Sequence, residues 1–513
     1  MTRELRSRFA VVGSGAGGAV TAYLLARAGE PVVVLERGAW VRPADLRPDE
    51  PHALATLYQD GGAQLTRDLS MTVLQGRCVG GSTVVSNVVC FRMPEAVRRR
   101  FAAGGFELPA ADLAAAYDVV ESVLNVHEIP ADRLNPAAER LEAGLRALGL
   151  EARRFRHASL DCVGCGECNL GCRFGAKLDA SRTWIPMAVR RGAVVVPGVA
   201  VNRVEVERGR VVALHATDLA KGTPVRVVAD RYVLAGGAIA TPELLLRSGI
   251  LADRAGTRAS MNAGAMMVAE FPAPLDAFRG LQMGVYHETD GATIEQDHNP
   301  YLSFCLTQPV GVDRLAAARP DLYRHLTSVG VLAPTPPEGR VRLPRLRALL
   351  PRALDRAVLD ARLPEVTRAA MVKAYALLAR IYLAGGATRV FAPTHEVHEL
   401  RRPDDVGRLD ALLADPRAIS GLGTAHPQGG SPIGDDDRRD VLTPEFRVRG
   451  LDNCFVVDAS VFPASVEVNP LLSVMAVAYL ASRHVVGRAP PAAIEEGPAH
   501  DRRRALGLGA AVG

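Results

Sequence analysis

The stretch VVGSGAGGAV at residues 11–20 decides the fold of this chain. It overlaps a short apolar run, residues 9–12, of the kind that forms a buried parallel strand. Its glycines at 13, 15 and 18 fit GxGxxG, in which they permit a tight turn, admit a pyrophosphate and let a helix pack against the strand. Residues 19–28 favour a helix that stops at Gly29. The stretch therefore predicts a strand, a glycine turn and a helix whose N-terminus can hold phosphate.

A second strand and an acidic residue complete this unit. VVVLE at residues 32–36 is typical of a buried strand, and Glu36 stands at its end. A carboxylate there can accept both hydroxyls of an adenosine ribose. A glycine turn without a ligand is the alternative, but strand, helix, strand and acid in this order predict dinucleotide binding. These residues alone do not distinguish NAD from FAD.

Length and charge narrow the class of protein. A chain of 513 residues is expected to form more than one domain. Its formal net charge of +5 is small, and no dense basic stripe predicts a nucleic-acid partner. Residues 1–8 are polar, and no apolar run has membrane-spanning length. We therefore expect a cytoplasmic enzyme with no transmembrane segment, and a poorly ordered tail at residues 489–513.

Further along the chain, the sequence predicts both helices and strands. Helical spacing occupies residues 110–150, and residues 194–206 are typical of a strand. Residues 231–250 predict a strand, a glycine turn and a short helix. Short apolar runs at residues 260–335 favour a β-rich unit. Residues 340–382 are interpreted as helical, with arginines on a solvated face.

Four more stretches place polar groups beside glycines or at the end of a strand. Gly81 and its neighbours could again let the backbone approach a cofactor. The stretches are QGRCVGGS at 75–82, which leads to Asn87, AHPQGG at 425–430, VVDAS at 456–460 and VNP at 468–470.

These pieces resemble the glucose–methanol–choline (GMC) family of flavin oxidoreductases over residues 9–488. Asn469-Pro470 is similar to the cholesterol oxidase and long-chain alcohol oxidase branches, which carry Asn-Pro at the second catalytic position. Sugar oxidases have His at that position. The resemblance implies an α/β fold with a Rossmann-like FAD-binding domain and an interleaved α+β substrate domain on an antiparallel sheet. The implied ranges are 1–90, 185–257 and 422–488 for the FAD-binding domain, and 91–184 and 258–421 for the substrate domain.

The resemblance also implies FAD rather than NAD. Glu36 would bind the adenosine ribose, the fingerprint glycines the pyrophosphate, and the loop at 77–87 the isoalloxazine. Asp458 would hold the pyrophosphate–ribityl segment, and Val201 is a candidate adenine contact. The implied cofactor-binding residues are Gly13, Gly15, Ala16, Gly18, Glu36, Arg77, Gly80, Gly81, Ser82, Asn87, Val201, Asp458 and Pro470.

His426 and Asn469 are the candidate catalytic residues. Oxidising an alcohol to an aldehyde or ketone removes a proton from oxygen and a hydride from carbon, and flavin accepts the hydride. Imidazole suits the proton near neutral pH, while the Asn469 amide can orient the substrate oxygen so that the carbinol hydrogen points to flavin N5. The alternative for His426 is a loop histidine that caps local backbone.

The stretch CVGCGECNLGC at residues 162–172 holds four of the eight cysteines. Its spacing is that of a bacterial ferredoxin, although Arg173 replaces the usual proline. Cys162, Cys168 and Cys172 also have the spacing of FAD-dependent glucose and fructose dehydrogenase subunits, which hold a three-iron cluster. With Cys165 included, a 3Fe–4S or 4Fe–4S cluster, inert thiols and a zinc site all stay open.

The electron acceptor depends on which of these alternatives holds for the cysteines. A cluster would favour a flavin–iron–sulfur dehydrogenase with a protein or quinone acceptor, whereas flavin alone would pass electrons to oxygen or a soluble acceptor. A non-catalytic flavoprotein electron carrier and an NAD-dependent dehydrogenase are the rival functions.

The substrate is expected to be a small-molecule alcohol, namely a sterol, a terpenoid or a long-chain alcohol. A polyol or a sugar hydroxyl is the alternative. Candidate pocket residues are Gln282, Tyr286, His287 and Phe304, unless they are ordinary core or surface positions.

Overall fold

The computed structural model describes residues 2–308, 317–319, 321–344 and 356–505. Its α-helices are α1 (Ala16–Arg27), α2 (Glu50–Leu57), α3 (Glu95–Ala103), α4 (Ala110–Leu124), α5 (Pro136–Ala147), α6 (Trp184–Arg190), α7 (Gly237–Arg247), α8 (Tyr301–Thr307), α9 (Leu322–His325), α10 (Glu365–Ala384), α11 (Leu409–Leu412), α12 (Leu471–Val486) and α13 (Pro498–Ala505).

The strands follow in chain order. They are β1 (Arg3–Val12), β2 (Val32–Glu36), β3 (Thr72–Val73), β4 (Val126–Glu128), β5 (Arg153–Arg154), β6 (Arg156–Ala158), β7 (Val194–Pro197), β8 (Val199–Glu207), β9 (Arg210–Asp218), β10 (Thr223–Leu234), β11 (Asn262–Glu270), β12 (Val285–Thr289), β13 (Ala292–Gln296), β14 (Leu326–Pro334), β15 (Arg340–Arg342), β16 (Val358–Asp360), β17 (Arg389–Phe391), β18 (Glu399–Leu400), β19 (Gly423–Thr424) and β20 (Cys454–Val456).

The first sheet has the order β7-β2-β1-β10-β9-β8, and β20 pairs with the carboxyl end of β10. The strands β7, β2, β1, β10 and β20 run parallel, while β9 and β8 are antiparallel additions. All five residues of β2 are buried because helices cover the parallel part of the sheet. Helix α1 packs against α6 and α12. The predicted strand–turn–helix–strand unit is confirmed.

The second sheet has the order β18-β17-β11-β14-β13-β12-β5, and β19 joins β11 to β3. Its pairs are antiparallel except β19 with β3. Helices α5 and α10 cover one face. The other face looks toward the first sheet, and this leaves a space between the two layers. The expected antiparallel sheet of the second unit is confirmed.

Each sheet has its own hydrophobic core, and the chain crosses between the two several times. The apolar side chains of α3 and α4 pack into the core of the first sheet. The predicted domain boundary at residue 91 therefore does not fall between the two cores. The domain division otherwise stays a prediction.

Two sequence-based expectations differ from the structure. In the described part of segment 340–382, β15 pairs with β16, with Arg340 opposite Asp360, and α10 begins at Glu365. Val341 is buried between two exposed arginines, which is the two-residue period of a strand. Residues 345–355 of that expectation lie outside the described residues.

The C-terminal segment is the second difference. Residues 489–505 were expected to be poorly ordered, but Ile494 packs into the first core and α13 contacts α4. The carboxylate of Glu496 pairs with Arg191 at 2.9 Å. Residues 506–513 lie outside the described residues. None of the helices in the described ranges is both long and apolar enough to cross a bilayer.

The turn after β1 gives a stability test. Gly13 has φ +98°, and a Cβ added there would come within 2.3 Å of the carbonyl oxygen of Ala235. Gly29 has φ +81° with nothing within 4 Å of an added Cβ. We expect Gly29→Ala to cost about 1 kcal/mol from backbone strain alone, and Gly13→Ala to cost about 4 kcal/mol or more. Urea unfolding of both variants measures the difference, and equal losses would contradict the close approach.

Candidate functional site

The carboxyl ends of the parallel strands meet at one edge of the first sheet. Val12 lies beside Leu35 on one side and Leu234 on the other. A cavity of about 1290 Å³ opens at this edge and extends to the inner face of the second sheet. In open α/β sheets, ligands bind at this edge because helix N-termini and loops converge there. The cavity is therefore the candidate functional site.

The N-terminus of α1 forms one end of the cavity. Gly15 is its N-cap and supplies no side-chain cap, so the first amides keep their hydrogen-bonding capacity. Gly81 of the second glycine loop lies opposite, and a Cβ there would come within 2.9 Å of the Cα of Gly15. Gly13, Ala16 and Ser82 line the same end. These open amides and close backbones fit an anionic pyrophosphate.

Glu36 lies in this end of the cavity with its carboxylate fixed. It accepts hydrogen bonds from Ser14 Oγ at 2.7 Å, from Ser14 N at 3.1 Å and from Gly38 N at 2.8 Å. Val201 of β8 lines the cavity as well. The structure thus brings the acid and the predicted adenine contact to the same cavity.

Asp458 follows β20, and its side chain connects several segments at the edge of the first sheet. Its Oδ2 accepts from Gly237 N at 2.8 Å and from Thr241 Oγ1 at 2.6 Å, while its Oδ1 accepts from Ser460 N at 2.7 Å. Burial raises the pKa of this carboxyl. The carboxyl fixes the start of α7 against the end of β20, and Asp458 itself lines the cavity, as does Pro470.

Three predicted cofactor residues do not line the cavity: Gly18, Arg77 and Gly80. A Cβ on Gly18 would meet Gly13 O at 2.2 Å, so this glycine serves the packing of helix on strand. The backbone N–H of Gly80 donates to Ser14 Oγ at 3.1 Å. Gly18 and Gly80 therefore support the cavity wall without lining it.

His426 and Asn469 lie side by side in the cavity. His426 Nε2 is 3.4 Å from Asn469 Nδ2, and His426 N donates to Thr424 Oγ1 at 3.0 Å. His426 Nδ1 and Asn469 Oδ1 are buried without a hydrogen-bond partner among the described residues. Burial lowers the pKa of His426 to about 4, so the imidazole is neutral at pH 7. The pair therefore presents a neutral base and unused polar atoms to a ligand.

Two carboxyl groups that the sequence analysis missed line the same cavity, Glu295 of β13 and Asp297 just beyond it. Glu295 is buried and Asp297 is partly buried, and burial raises the pKa of Glu295 to about 8 and that of Asp297 to about 6. Asn87 Nδ2 donates to Asp297 Oδ1 at 3.2 Å. The signal in the sequence was a pair of acids two positions apart at the end of a buried strand, a spacing that places both on one face.

None of the four candidate pocket residues lines this cavity: Gln282, Tyr286, His287 and Phe304. Gln282 and Phe304 are core residues, and His287 turns its Nδ1 to the carbonyl of Glu151. The apolar wall comes instead from other side chains. It includes Leu54, Tyr58, Leu74, Val85, Met266, Met283 and Leu332.

The cysteines of residues 162–172 do not form a metal site. Within the described parts of the chain, no group of three or more His, Cys, Asp or Glu could hold a metal ion, and Cys162, Cys165, Cys168 and Cys172 are free thiols. The Cys162 side chain packs on the cluster around Phe155, whereas Cys172 Sγ accepts from Lys177 N at 3.4 Å. The iron–sulfur and zinc hypotheses therefore gain no support.

The cysteine-rich loop instead braces the cavity wall. The buried Lys177 ammonium donates to the carbonyls of Val84, Ser86 and Cys168. Asn169 of the same loop lines the cavity, and its carbonyl accepts from Tyr58 Oη at 2.7 Å. The loop is thus fixed to the segment that carries Asn87.

Comparisons with known proteins agree with this geometry. Residues 54–263 and 335–478 match the two models described as GMC oxidoreductase, and residues 11–41 match a NAD(P)-binding Rossmann-like domain. An uncharacterized GMC-type oxidoreductase of Mycobacterium tuberculosis is 31% identical over 500 residues, which cover 94% of this chain and 76% of that protein. A long-chain-alcohol oxidase of Arabidopsis thaliana, FAO3, is 26% identical, with 93% and 67% covered.

A solved structure extends the comparison to the fold. Pyridoxine 4-oxidase from Mesorbium loti superposes with a TM-score of 0.71 at 19% identity, covering 94% of this chain and 99% of that chain. The likeness shows that the whole two-sheet architecture is shared.

The contribution of the Asp458 hydrogen bonds to stability can be tested by substitution. Asp458→Ala removes three hydrogen bonds to buried groups and should lower stability by about 3 kcal/mol. Asp452→Ala, in the exposed loop just before β20, is the matched control and should change stability by less than about 0.5 kcal/mol. Urea unfolding measures both. A loss at Asp458 no larger than at Asp452 would show that the carboxyl does not hold the sheet edge.

Proposed function

The chain belongs to the GMC oxidoreductase family, and from that premise we propose that it binds FAD in the cavity and oxidises the CH–OH group of an alcohol to an aldehyde or ketone. The observation that carries this proposal is the placement of His426 beside Asn469, with unpartnered polar atoms, in the cavity whose far end is the glycine cradle.

The residues present fit FAD. The open amides at Gly15 suit its pyrophosphate, the fixed carboxylate of Glu36 suits a ribose, and Val201 stands where an adenine could lie. Asn87 and Pro470 line the portion nearer the catalytic pair. When bound, FAD supplies the hydride acceptor.

His426 is the proposed base. Its imidazole is neutral at pH 7, because burial lowers its pKa to about 4, so it can accept the hydroxyl proton of the substrate. Thr424 fixes the backbone of His426, and Asn469 restricts its ring. A low pKa makes the imidazole a weak base, but developing alkoxide character on a substrate oxygen would favour the imidazolium that forms.

Asn469 is the proposed orienting residue. It is buried just before α12, and its amide N–H can donate a hydrogen bond to the substrate oxygen while the hydroxyl donates its proton to His426. Held between Asn469 and His426, the hydroxyl has one allowed direction, so the carbinol hydrogen is fixed as well. The amide therefore contributes to rate through geometry rather than through proton transfer.

We propose oxygen as the electron acceptor. The thiol of Cys168 interacts with those of Cys162, Cys165 and Cys172, but no group of three or more His, Cys, Asp or Glu side chains in the described ranges is arranged to hold a metal ion. The named relatives include an alcohol oxidase and a solved 4-oxidase. Admitting oxygen to the anaerobically reduced protein tests this, and reoxidation that requires a quinone or a redox protein would favour the dehydrogenase alternative.

The catalytic pair is tested by substitution. His426→Gln keeps a polar side chain but removes the base, so anaerobic flavin reduction by an alcohol substrate should slow by about 10²–10⁴-fold. His395→Gln, at an exposed histidine outside the cavity, is the control and should reduce flavin normally. Flavin content from the absorbance spectrum separates lost chemistry from lost cofactor. An unimpaired His426→Gln protein would support the non-catalytic electron-carrier alternative.

The pH dependence of flavin reduction tests the state of His426. The ordinary histidine pKa is 6.5, and burial lowers it here to about 4. The neutral base therefore persists as pH falls through 6.5 and is lost only near pH 4, so its acid limb in the rate profile should lie near pH 4. A limb near pH 6.5 that His426→Gln removes would contradict the buried, neutral imidazole.

A further inference from the structure

The segment that carries Asn469, residues 462–470, belongs to neither a helix nor a strand. It connects the turn after β20 to α12 in an irregular conformation. Glu467, two residues before Asn469, has φ +66°, which is a left-handed conformation that is unfavourable for a residue with a Cβ. Such strain persists only where the surrounding structure fixes the backbone. The groups that fix this segment therefore decide where the Asn469 amide lies.

Asn262 of β11 holds the segment with both ends of its side-chain amide. Its Nδ2 donates to the carbonyl of Val468 at 2.9 Å, and its Oδ1 accepts from Ser465 Oγ at 2.7 Å. Ser465 Oγ in turn accepts from Glu467 N at 3.0 Å. Asn262 and Ser465 are both buried, so these hydrogen bonds are shielded from water. Because Val468 directly precedes Asn469, the Asn262 amide fixes the peptide that leads to Asn469.

The main chain of Asn262 holds the other member of the proposed catalytic pair. The carbonyl of Asn262 accepts from Thr424 Oγ1 at 2.8 Å, and Thr424 Oγ1 accepts from His426 N at 3.0 Å. Next to these bonds, β11 pairs with β19 at Gly264 and Gly423. One residue is therefore connected to both members of the pair, to Asn469 through its side chain and to His426 through its carbonyl.

A second buried amide, that of Gln428, supports the same segment. Gln428 Oε1 accepts from Val466 N at 2.9 Å. The main chain of Gln428 exchanges two hydrogen bonds of 2.8 Å with Ser260, which lies two residues before Asn262. Gln428 is thus held beside Asn262, and both amides reach residues 465–468 from the same side.

We propose that Asn262 is a positioning residue for the oxidation of the alcohol and that it sets the separation between His426 and Asn469. This inference rests on the function proposed above, because a substrate oxygen must reach both side chains at once for the carbinol hydrogen to be directed. Asn262 lines the cavity, but each polar atom of its side chain has a protein partner. It therefore acts through its neighbours rather than on the substrate.

The test compares Asn262→Ala with Asn453→Ala in the FAD-loaded protein. Asn453 is buried outside the cavity, and its amide also bonds main chain, at Val211 and Asp230. We expect Asn262→Ala to slow anaerobic flavin reduction at saturating alcohol by about 10²-fold, because the substrate oxygen is misplaced. Asn453→Ala should lose stability but reduce flavin at the wild-type rate. An unimpaired Asn262→Ala protein, or equal losses in the two variants, would overturn the inference.

A second variant reaches the same contact from outside the cavity. Ser465 does not line the cavity and donates to Asn262 Oδ1, so Ser465→Ala removes no substrate contact. It should slow flavin reduction at saturating alcohol, while the alcohol concentration for half saturation changes by less than about 3-fold. If Asn262→Ala does not fold, Ser465→Ala decides alone. A normal limiting rate in Ser465→Ala would count against positioning through this network.

Coupling to Asn469 distinguishes positioning from a general loss of structure. In an Asn469→Ala protein the side-chain amide that Asn262 positions is absent, so adding Asn262→Ala should slow flavin reduction by less than about 3-fold more. A merely structural role would give the full loss in both backgrounds. That additive result would overturn the inference.

A structural measurement separates this inference from the proposed function. Crystal structures of the wild-type and Asn262→Ala holoproteins should show that the distance from His426 Nε2 to Asn469 Nδ2, 3.4 Å here, is longer in the variant. We expect an increase of about 1 Å. If no alcohol reduces the flavin of the wild type, the oxidase proposal fails and this distance alone decides the role of Asn262. An unchanged distance would overturn the inference even if alcohols are oxidised.

Discussion

The close approach of three backbones at the edge of the first sheet is the constraint on which the rest of the structure depends. An added Cβ at Gly13 would strike Ala235 O, and one at Gly17 would come within 2.0 Å of Val457 O. Helix α1 can therefore lie directly against the carboxyl ends of β10 and β20. That contact aims the uncapped N-terminus of α1 into the cavity and brings Asp458 to the same edge. Larger residues there would force the layers apart and remove the cradle.

The proposed catalytic pair is brought together because the second sheet closes over this edge. His426 follows β19, a strand of the second sheet, whereas Asn469 precedes α12, which packs on the first. Neither sheet alone contains the pair. The burial that results has a chemical effect, because it keeps the imidazole of His426 neutral and leaves its Nδ1 and the amide oxygen of Asn469 without protein partners. Burying these two atoms without hydrogen bonds lowers the stability of the fold, and a bound ligand can supply the missing hydrogen bonds.

The carboxyl groups that line the cavity have two kinds of surroundings. Glu36 and Asp458 are surrounded by protein donors and hold loops at fixed positions. Glu295 is equally buried beside the side chain of Asn469, whereas Asp297 is partly exposed and accepts a hydrogen bond from Asn87 at 3.2 Å.

The sequence by itself determined the first unit and led to the prediction of His426 and Asn469 as the catalytic pair. The fingerprint at residues 11–20 and the acid at Glu36 are local, since strand, turn and helix lie within one short stretch. Motif order further predicted the antiparallel second sheet, His426 and Asn469. Only the tertiary structure decided which neighbours the cysteines at residues 162–172 contact and which side chains line the cavity. Those properties depend on pairings between β11, β13 and β14, and on which partners a loop meets. Such contacts join positions distant in the chain, and no local period records them.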